Sequence, residues 1–239
     1  MKDEMYKSLA KYYDKIYHWK EYRKEVNELK ELIKQYKKSS GNELLDVGCG
    51  TGNHIQYLMD EFDCTGVDLN QGILDVAREK LPAVKFIQSD MINMDLAKKF
   101  DVIVCLFSAI GYITEKEKVK KTLISFSNHL KDGGIVLIEP WLTIDMYKAG
   151  SPHITIYEDK DLKIARANIS EQDGDRSIFD MHYLIAERDK PVQHFIDRHE
   201  MIMFPHELFL SFMTESGLKA WKFSEGIFES RGLLIGVKE

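Results

Sequence analysis

Three glycines on alternate positions and three regularly spaced acids are the residues of this chain whose types and spacing suggest chemistry. Gly48, Gly50 and Gly52 follow an apolar run at 43–47 and precede a helical pattern of apolar residues. Glycine lets the backbone reverse and lets a ligand approach it closely, and the start of the next helix offers unpaired N–H groups. Strand, glycine turn and helix together indicate a nucleotide-binding α/β unit.

The acids narrow the choice of ligand. Asp46 stands just before the turn, where it would repel a phosphate but attract an ammonium group. Asp68 and Asp90 end the next two predicted strands, where an acid typically binds ribose hydroxyls and, for Asp90, can reach an adenine amino group. A ligand with an ammonium, a carboxylate and a ribose fits this set, which predicts S-adenosylmethionine. The alternative is that these acids are ordinary turn or helix-cap residues.

Two other nucleotide loops fit less well. Asn53 occupies a position where the dinucleotide fingerprint needs a small residue, which disfavours an NAD-dependent oxidoreductase. No Lys-Ser/Thr pair closes the loop, so it does not match a P-loop.

Composition bounds the class of protein. The chain has 239 residues, enough for one large α/β domain or two small ones, and its net charge of −6 argues against nucleic acid or an anionic membrane as partner. Cys49, Cys64 and Cys105 lie in or beside predicted core strands, as expected for buried free thiols in a reducing compartment. We find no apolar run of membrane-spanning length and no signal peptide, and we expect a cytoplasmic protein.

Strands and helices alternate through the first part of the chain. Two helices are predicted within residues 4–37, strands at 43–47, 64–68, 84–88, 101–106 and 134–138, and helices at 53–61, 71–80, 115–130 and, as a short one, 94–98. This alternation indicates a parallel sheet covered by helices on both faces.

The pattern changes after Glu139. Strands at 154–157, 162–169, 178–186 and 195–204 indicate an antiparallel insertion, followed by a helix at 205–212 and strands at about 219–226 and 231–238. We therefore expect a single domain with a core at about 1–140 and 205–239 and an insertion at about 141–204.

Several motifs now add up to a family resemblance. They are Tyr13-Asp14-Lys15-Ile16-Tyr17, the glycine loop from Leu45 to Gly52, Phe107-Ser108-Ala109-Ile110-Gly111-Tyr112, Glu139-Pro140-Trp141 and the stretch from Arg231 to Val237. With them the chain resembles class I S-adenosylmethionine-dependent methyltransferases, and more narrowly the enzymes that dimethylate the amine of TDP-amino sugars. The resemblance implies an α/β fold with a Rossmann-like seven-stranded sheet whose last strand is antiparallel, with the antiparallel β insertion over the active site.

The cofactor should lie beyond the carboxyl ends of the strands, as ligands do in such sheets. We predict that it contacts Asp46, Gly48, Cys49, Gly50, Gly52, Asp68, Leu69, Asp90, Met91, Phe107 and Ser108. The family places its first helix over the cofactor, so we expect Tyr17 at the methionine end and Tyr13 on the substrate side. Core packing on an amphipathic helix is the alternative for both tyrosines.

Methyl transfer is an in-line displacement that needs alignment of the reactants but no metal and no covalent intermediate. An amine acceptor must also be unprotonated. Tyr112 lies where the methyl group should arrive and could orient the amine, and His182 in the insertion could serve as a base. His182, His194 and His199 match no metal-ligand spacing, and we predict no metal site.

A TDP-sugar needs cations for its diphosphate, and Arg166, Arg198 and Arg231 are the candidates. Their alternative is surface solvation. Trp141 could stack on a base or sugar, or pack beneath the insertion. Leu106-Phe107-Ser108-Ala109 stands where enzymes that methylate DNA bases carry Asn/Asp-Pro-Pro-Tyr, which disfavours a nucleic-acid acceptor.

The function predicted from sequence is methyl transfer from S-adenosylmethionine to a small molecule, with the amine of a nucleotide-linked amino sugar as the preferred acceptor. Another small-molecule N or O acceptor, or S-adenosylmethionine binding without catalysis, stays open. A homodimer is compatible with the sequence.

Overall fold

Two β-sheets and the helices around them build residues 9–239, the part of the chain that the computed structural model describes. The strands in chain order are β1 (Glu43–Val47), β2 (Asp63–Asp68), β3 (Lys85–Gln88), β4 (Phe100–Cys105), β5 (Leu130–Ile138), β6 (Pro152–Glu158), β7 (Leu162–Ile169), β8 (Glu171–Asp173), β9 (Arg176–Glu187), β10 (Gln193–Ile202), β11 (Leu218–Phe223) and β12 (Leu233–Lys238). The α-helices are α1 (Tyr13–Ile16), α2 (Tyr22–Tyr36), α3 (Ile55–Leu58), α4 (Gln71–Lys80), α5 (Lys116–His129) and α6 (His206–Glu215), and 3-10 helices cover Ala10–Tyr12, Ala109–Tyr112 and Gly226–Phe228.

The central sheet has seven strands in the order β11-β12-β5-β4-β1-β2-β3. Strands β1 to β5 pair in parallel, whereas β12 runs antiparallel to both β5 and β11. Every residue of β4 is buried, as expected for a strand covered on both faces. The predicted seven-stranded sheet with an antiparallel last strand is confirmed.

Helices cover both faces of this sheet. Apolar residues of α2, α3 and α4 form one core cluster with alternate residues of β1, β4 and β5. Residues of α5 and α6 form a second cluster with the intervening strand residues. Because alternate strand residues point to opposite faces, each strand supplies both clusters.

The second sheet is entirely antiparallel, in the order β10-β9-β7-β6, with β8 paired to β9. One of its faces carries Ile164, Tyr183 and Ile185, which pack against Leu9 and Ile16 from the N-terminal segment. This packing places the first helical residues between the insertion sheet and the glycine loop.

Three element predictions need correction or restriction. The short helix predicted at 94–98 is wrong: the segment is a loop, in which Ala97 has a positive φ of 49° and the Leu96 N–H donates to His129 Nε2. Strand β5 begins at Leu130 rather than at 134, because Leu130 already pairs with Phe100 of β4. The pairing register then shifts before Val102 pairs with Ile135. Residues 4–8 of the predicted first helix lie outside the described residues.

Within residues 9–239, no helix is both long and apolar enough to cross a bilayer.

Candidate active site

The glycine loop is shaped by three left-handed backbone positions. Gly48, Gly50 and Gly52 have φ values of 74°, 55° and 77°, which L-residues with a Cβ rarely adopt. The backbone N–H groups of Gly48 and Cys49 donate to the carbonyl of Val67 at 2.8 and 3.0 Å. The loop therefore turns back onto the end of β2, and its conformation requires glycine at these positions.

Asp68 ties this loop to the second strand. Its Oδ2 accepts a hydrogen bond from the Gly50 N–H at 3.0 Å, and its Oδ1 accepts one from the Asn70 N–H at 3.0 Å. Burial raises the pKa of Asp68, although these backbone N–H groups oppose the shift. The carboxylate thus organises the loop and also borders the cavity described below.

Asp46 is a buried carboxyl group with an unused oxygen. Asp46 is 1% exposed, and its Oδ2 has no hydrogen-bond partner among the described residues. Burial, reinforced by the negative charge of Asp68, raises the pKa of Asp46 to about 6. A ligand cation near this carboxylate would offset the cost of burying its charge.

The N-terminal helical segment closes over the glycine loop through Asp14. Its Oδ1 accepts hydrogen bonds from Thr51 Oγ1 at 2.6 Å and Asn53 Nδ2 at 2.9 Å, and its Oδ2 accepts one from Lys80 Nζ at 2.8 Å. Burial acts to raise the pKa of Asp14, but the bonds from Lys80 and Thr51 outweigh it and lower the pKa. This clasp fixes α1 beside the loop.

Tyr13 and Tyr17 face the cavity from this segment. Their ring centroids are 4.7 Å apart, and the Tyr17 ring meets Phe107 edge-on at 5.1 Å. Burial raises the pKa of both hydroxyl groups, so both stay protonated near neutral pH. The result is an aromatic wall that joins the cofactor end of the cavity to the insertion sheet.

The turn after β4 is held by an ion pair. Phe107 and Ser108 have positive φ values of 50° and 60°, a strained conformation for residues with side chains. Glu139 Oε2 accepts the Phe107 N–H at 2.7 Å, while Arg231 Nη1 donates to Glu139 Oε1 at 3.0 Å and to Ser108 Oγ at 2.8 Å. Arg231 therefore holds the turn in shape and also borders the cavity.

One cavity of about 1000 Å³ runs from the glycine loop to the insertion sheet. This volume lies at the upper end of ligand pockets, about 300–1,000 Å³, so it has room for a nucleoside cofactor and a second ligand. Predicted site residues on its wall are Tyr13, Tyr17, Gly48, Gly50, Asp68, Leu69, Asp90, Met91, Phe107, Tyr112, Trp141, Arg166, Arg198 and Arg231.

Four predicted cofactor contacts are not on that wall. Asp46 and Ser108 are buried behind it, and the Ser108 hydroxyl donates to the carbonyl of Pro140. Cys49 lines a small pocket of about 20 Å³ that adjoins the cavity at Gly48 and Phe107, and Gly52 packs towards Leu81 and Phe86. Asp46, Cys49 and Gly52 belong to the glycine loop and Ser108 to the turn after β4, and direct contact between these residues and a cofactor stays a prediction.

The insertion end of the cavity carries polar and aromatic groups. The Arg166 guanidinium lies 5.1 Å from the Tyr17 ring centre, and its buried Nη1 has no hydrogen-bond partner among residues 9–239. Trp141 Nε1 donates to Ser177 Oγ at 2.8 Å, which fixes the indole. Tyr112 Oη lies 2.7 Å from His199 Nδ1.

The prediction that His182 serves as a base in the pocket is wrong. His182 lies on the exposed face of the insertion sheet, beside His194 at 3.2 Å, because in β9 it alternates with the buried Tyr183. Arg198 stands at the cavity edge, where its guanidinium pairs with Asp180 and Glu200 at 3.2 Å. Among the described residues, no group of His, Cys, Asp and Glu could hold a metal ion.

Sequence reasoning missed the link between Tyr112 and His199, which are 87 positions apart. One signal was available: Asp197, His199 and Met201 alternate along one predicted strand and so share a face. Asp14 was also missed, because its partners Thr51, Asn53 and Lys80 come from two other segments.

Comparison with known proteins identifies the family. A model of the methyltransferase domain matches residues 44–134. The chain is 32% identical over 231 residues to the dTDP-3-amino-3,4,6-trideoxy-alpha-D-glucopyranose N,N-dimethyltransferase of Streptomyces venezuelae, which covers 95% of this chain and 97% of that one. This chain belongs to the S-adenosylmethionine-dependent methyltransferases.

Solved structures agree with this assignment. The methyltransferase superposes on Streptomyces venezuelae DesVI with a TM-score of 0.86 at 30% identity, covering 92% of this chain and 93% of that one. It also resembles an amino pentose methyltransferase of Micromonospora echinaspora with S-adenosylmethionine bound, with a TM-score of 0.82, 25% identity and 92% coverage of both chains.

The residues present fit this cofactor. A Cβ on Gly50 would meet only Tyr13, at 3.8 Å or more, so the loop backbone is open towards the cavity. Asp68 and Asp90 line the cavity, where their carboxylates would be placed for ribose hydroxyls and an adenine amino group, and the unpaired Oδ2 of Asp46 would suit an ammonium group. Bound S-adenosylmethionine supplies an electrophilic methyl group on a sulfonium. The protein's own residues would bind and align the reactants and exclude water. Tyr13, Tyr17 and Phe107 form the aromatic wall that would do so.

Proposed function

We propose that this methyltransferase transfers methyl groups to the amine of a nucleotide-linked amino sugar, twice in succession. The observation that carries the proposal is the continuous cavity that runs from the glycine loop to Arg166 on β7 of the insertion sheet. A cavity that ended at the aromatic wall would suit only a small acceptor.

Arg166 is the group that favours an anionic acceptor. A buried guanidinium nitrogen without a partner costs free energy, and a diphosphate oxygen would satisfy it with a charge-assisted hydrogen bond. Trp141 and Phe179, 6.1 Å apart, present aromatic surface on the same wall for a base or sugar. These groups match the charge and the aromatic faces of a nucleoside diphosphate sugar.

The relatives support the same acceptor class. The Streptomyces venezuelae relative is a dTDP-amino-sugar N,N-dimethyltransferase, and a Streptomyces fradiae relative at 28% identity over 96% of this chain carries a similar name. The amine would lie between the methyl donor and Tyr112, a residue that is 42% exposed and lines the cavity.

The test is a turnover assay that follows release of S-adenosylhomocysteine. We expect turnover with a dTDP-amino sugar and at least tenfold lower kcat/KM with the same amino sugar lacking dTDP. Arg166→Met should raise the KM for the nucleotide sugar by roughly 10- to 150-fold, since one charged hydrogen bond contributes about 1.5–3 kcal/mol. Arg188→Met is the matched control, because Arg188 pairs with Asp161 at the surface.

Equal kcat/KM for the free and the nucleotide-linked sugar would contradict the proposal. So would an Arg166→Met variant whose acceptor KM matches that of the control.

A further inference from the structure

Three residues that line the insertion end of the cavity, Tyr112, His199 and Asp197, place their side chains in a row. Tyr112, at the end of the 3-10 helix Ala109–Tyr112, places Oη 2.7 Å from His199 Nδ1. On the other side of the imidazole, Nε2 lies 3.1 Å from Asp197 Oδ2. His199 is 5% exposed and Asp197 is 1% exposed, so the row ends on a buried part of the cavity wall.

The insertion sheet fixes the imidazole in this position. Asp197 and His199 lie two residues apart on β10 and so share its inner face, opposite Met181 and Phe179 of β9. The Phe179 ring stacks on the imidazole at 5.3 Å with an interplanar angle of 19°. Rotation of the ring is therefore restricted while both nitrogens keep their neighbours.

The charge of Asp197 selects one form of the neutral imidazole. A carboxylate beside Nε2 favours the proton on that nitrogen, which leaves Nδ1 as an acceptor for the Tyr112 hydroxyl. The Nε2 contact is close enough for an ion pair, but it is not aligned as a hydrogen bond in this structure. Once His199 gains a second proton, the same carboxylate stabilises the imidazolium.

We propose that His199 is the positioning residue for Tyr112 and the proton acceptor for the substrate ammonium, with Asp197 stabilising its charged form. The inference rests on the proposed function, because an amino-sugar amine is protonated in solution near neutral pH and cannot attack a methyl group until it loses a proton.

The proton step balances without any further reactant. One N–H bond of the substrate ammonium breaks and its electron pair stays on nitrogen, while the proton bonds to Tyr112 Oη. At the same time the original Oη–H bond breaks and a new Nδ1–H bond forms on His199. The products are a neutral amine, a neutral tyrosine and an imidazolium beside the Asp197 carboxylate.

Other charged and titratable groups also contribute to the electrostatic environment of Tyr112, His199 and Asp197. Burial raises the pKa of the Tyr17 and Tyr183 hydroxyls, the Asp197 carboxylate adds to the rise, and the Arg166 guanidinium opposes it. Glu200, the next residue of β10, pairs with Arg176 and Arg198.

The experiment compares His199→Asn with the wild type in the S-adenosylhomocysteine assay from pH 6.5 to about pH 9.5. Asparagine can accept the Tyr112 hydrogen bond through its side-chain oxygen but cannot take up a proton. We expect kcat to fall by roughly 10²-fold near neutral pH, within the usual range for a general base, and to recover above the pKa of the amine. The KM for S-adenosylmethionine should not change.

His194→Asn is the matched control, because it makes the same substitution on the exposed face of the same strand. A loss for His199→Asn that is equal at all pH values would indicate packing alone and overturn the inference. Wild-type turnover with no loss in His199→Asn would also overturn it while leaving the proposed function intact. A wild type that turns over no nucleotide-linked amine would overturn both.

A double-mutant cycle covers the case in which His199→Asn folds poorly. Tyr112→Phe and Asp197→Asn should each lower kcat near neutral pH, and the double variant should lose less than the product of the two losses, because the side chains act as one relay. Independent, multiplicative losses would overturn the inference.

Discussion

The carboxylate of Asp68 accepts a hydrogen bond from the backbone N–H of Gly50 at 3.0 Å. The acid that the spacing assigned to a ribose is therefore also the acid that holds the middle of the glycine loop. Because Asp68 borders the cavity as well, the loop and the predicted ribose contact depend on the same side chain.

Asp68→Ala should weaken S-adenosylmethionine binding by about 1.5–3 kcal/mol, or roughly 10- to 150-fold, because a charged hydrogen-bond acceptor is lost. Isothermal titration calorimetry measures the change. Asp75→Ala is the control, since Asp75 on α4 is exposed and contacts Gln71 and Arg78. Unchanged affinity would remove Asp68 from the cofactor site.

Gly50→Val should abolish cofactor binding while the protein stays folded. The φ of 55° penalises any side chain by about 1–2 kcal/mol, and the valine would also project from the loop towards Tyr13. Gly174→Val is matched to it, because Gly174 has a φ of 59° in a hairpin with nothing within 4 Å. Circular dichroism and calorimetry separate the two effects. If both variants lost cofactor binding, the loss would come from backbone strain rather than from a valine side chain that occupies the space of the cofactor.

Asp46→Asn should stabilise the cofactor-free protein and weaken cofactor binding. Burial raises the pKa of Asp46 from 3.8 to about 6, so the folded state binds its proton more tightly than the unfolded state. The free energy of unfolding of the wild type is therefore unaffected by this group below pH 3.8. It falls by about 3 kcal/mol in total as the pH rises to about 6, and it stays at that lower value above about pH 6.

Denaturant unfolding at several pH values tests this. The free energy of unfolding of Asp46→Asn relative to the wild type should increase between pH 4 and pH 6 and then level off. A constant difference across this range would show that Asp46 titrates normally.

Arg231→Lys should raise the KM for the acceptor and also weaken cofactor binding, because Phe107 and Ser108 are predicted cofactor contacts. A lysine ammonium cannot reproduce the planar guanidinium that donates to Ser108 and Glu139, so the left-handed turn at Phe107 and Ser108 loses support. Steady-state kinetics with each substrate varied in turn measures the effect. An unchanged acceptor KM would show that the turn needs no support from this side chain.

Local patterns were enough to predict most of the fold. Near-continuous apolar strands, the glycine turn and a helix after each strand specify a parallel sheet, and strands such as β1 and β7 have the predicted bounds. The loop at 94–98 could not be predicted from local sequence, because the backbone N–H of Leu96 donates to His129 on helix α5. This tertiary contact overrides the local preference of the segment for a helix.

The candidate site shows the same distinction between features set by local sequence and features set by tertiary contacts. Residues at strand ends, such as Asp68 and Asp90, reach the cavity because parallel strands end at one edge of the sheet. His182 was misplaced because the face that a strand residue occupies depends on the register and on which face is covered. The partner of Tyr112 depends on how the insertion sheet sits over the core, which no local pattern records.

The most direct test is mass spectrometry of a dTDP-amino sugar incubated with the methyltransferase and S-adenosylmethionine. The account predicts that the sugar gains one methyl group and then a second, both on the amine nitrogen. An unchanged nucleotide sugar, under conditions in which the protein binds S-adenosylmethionine or methylates a small amine lacking a nucleotide, would contradict it.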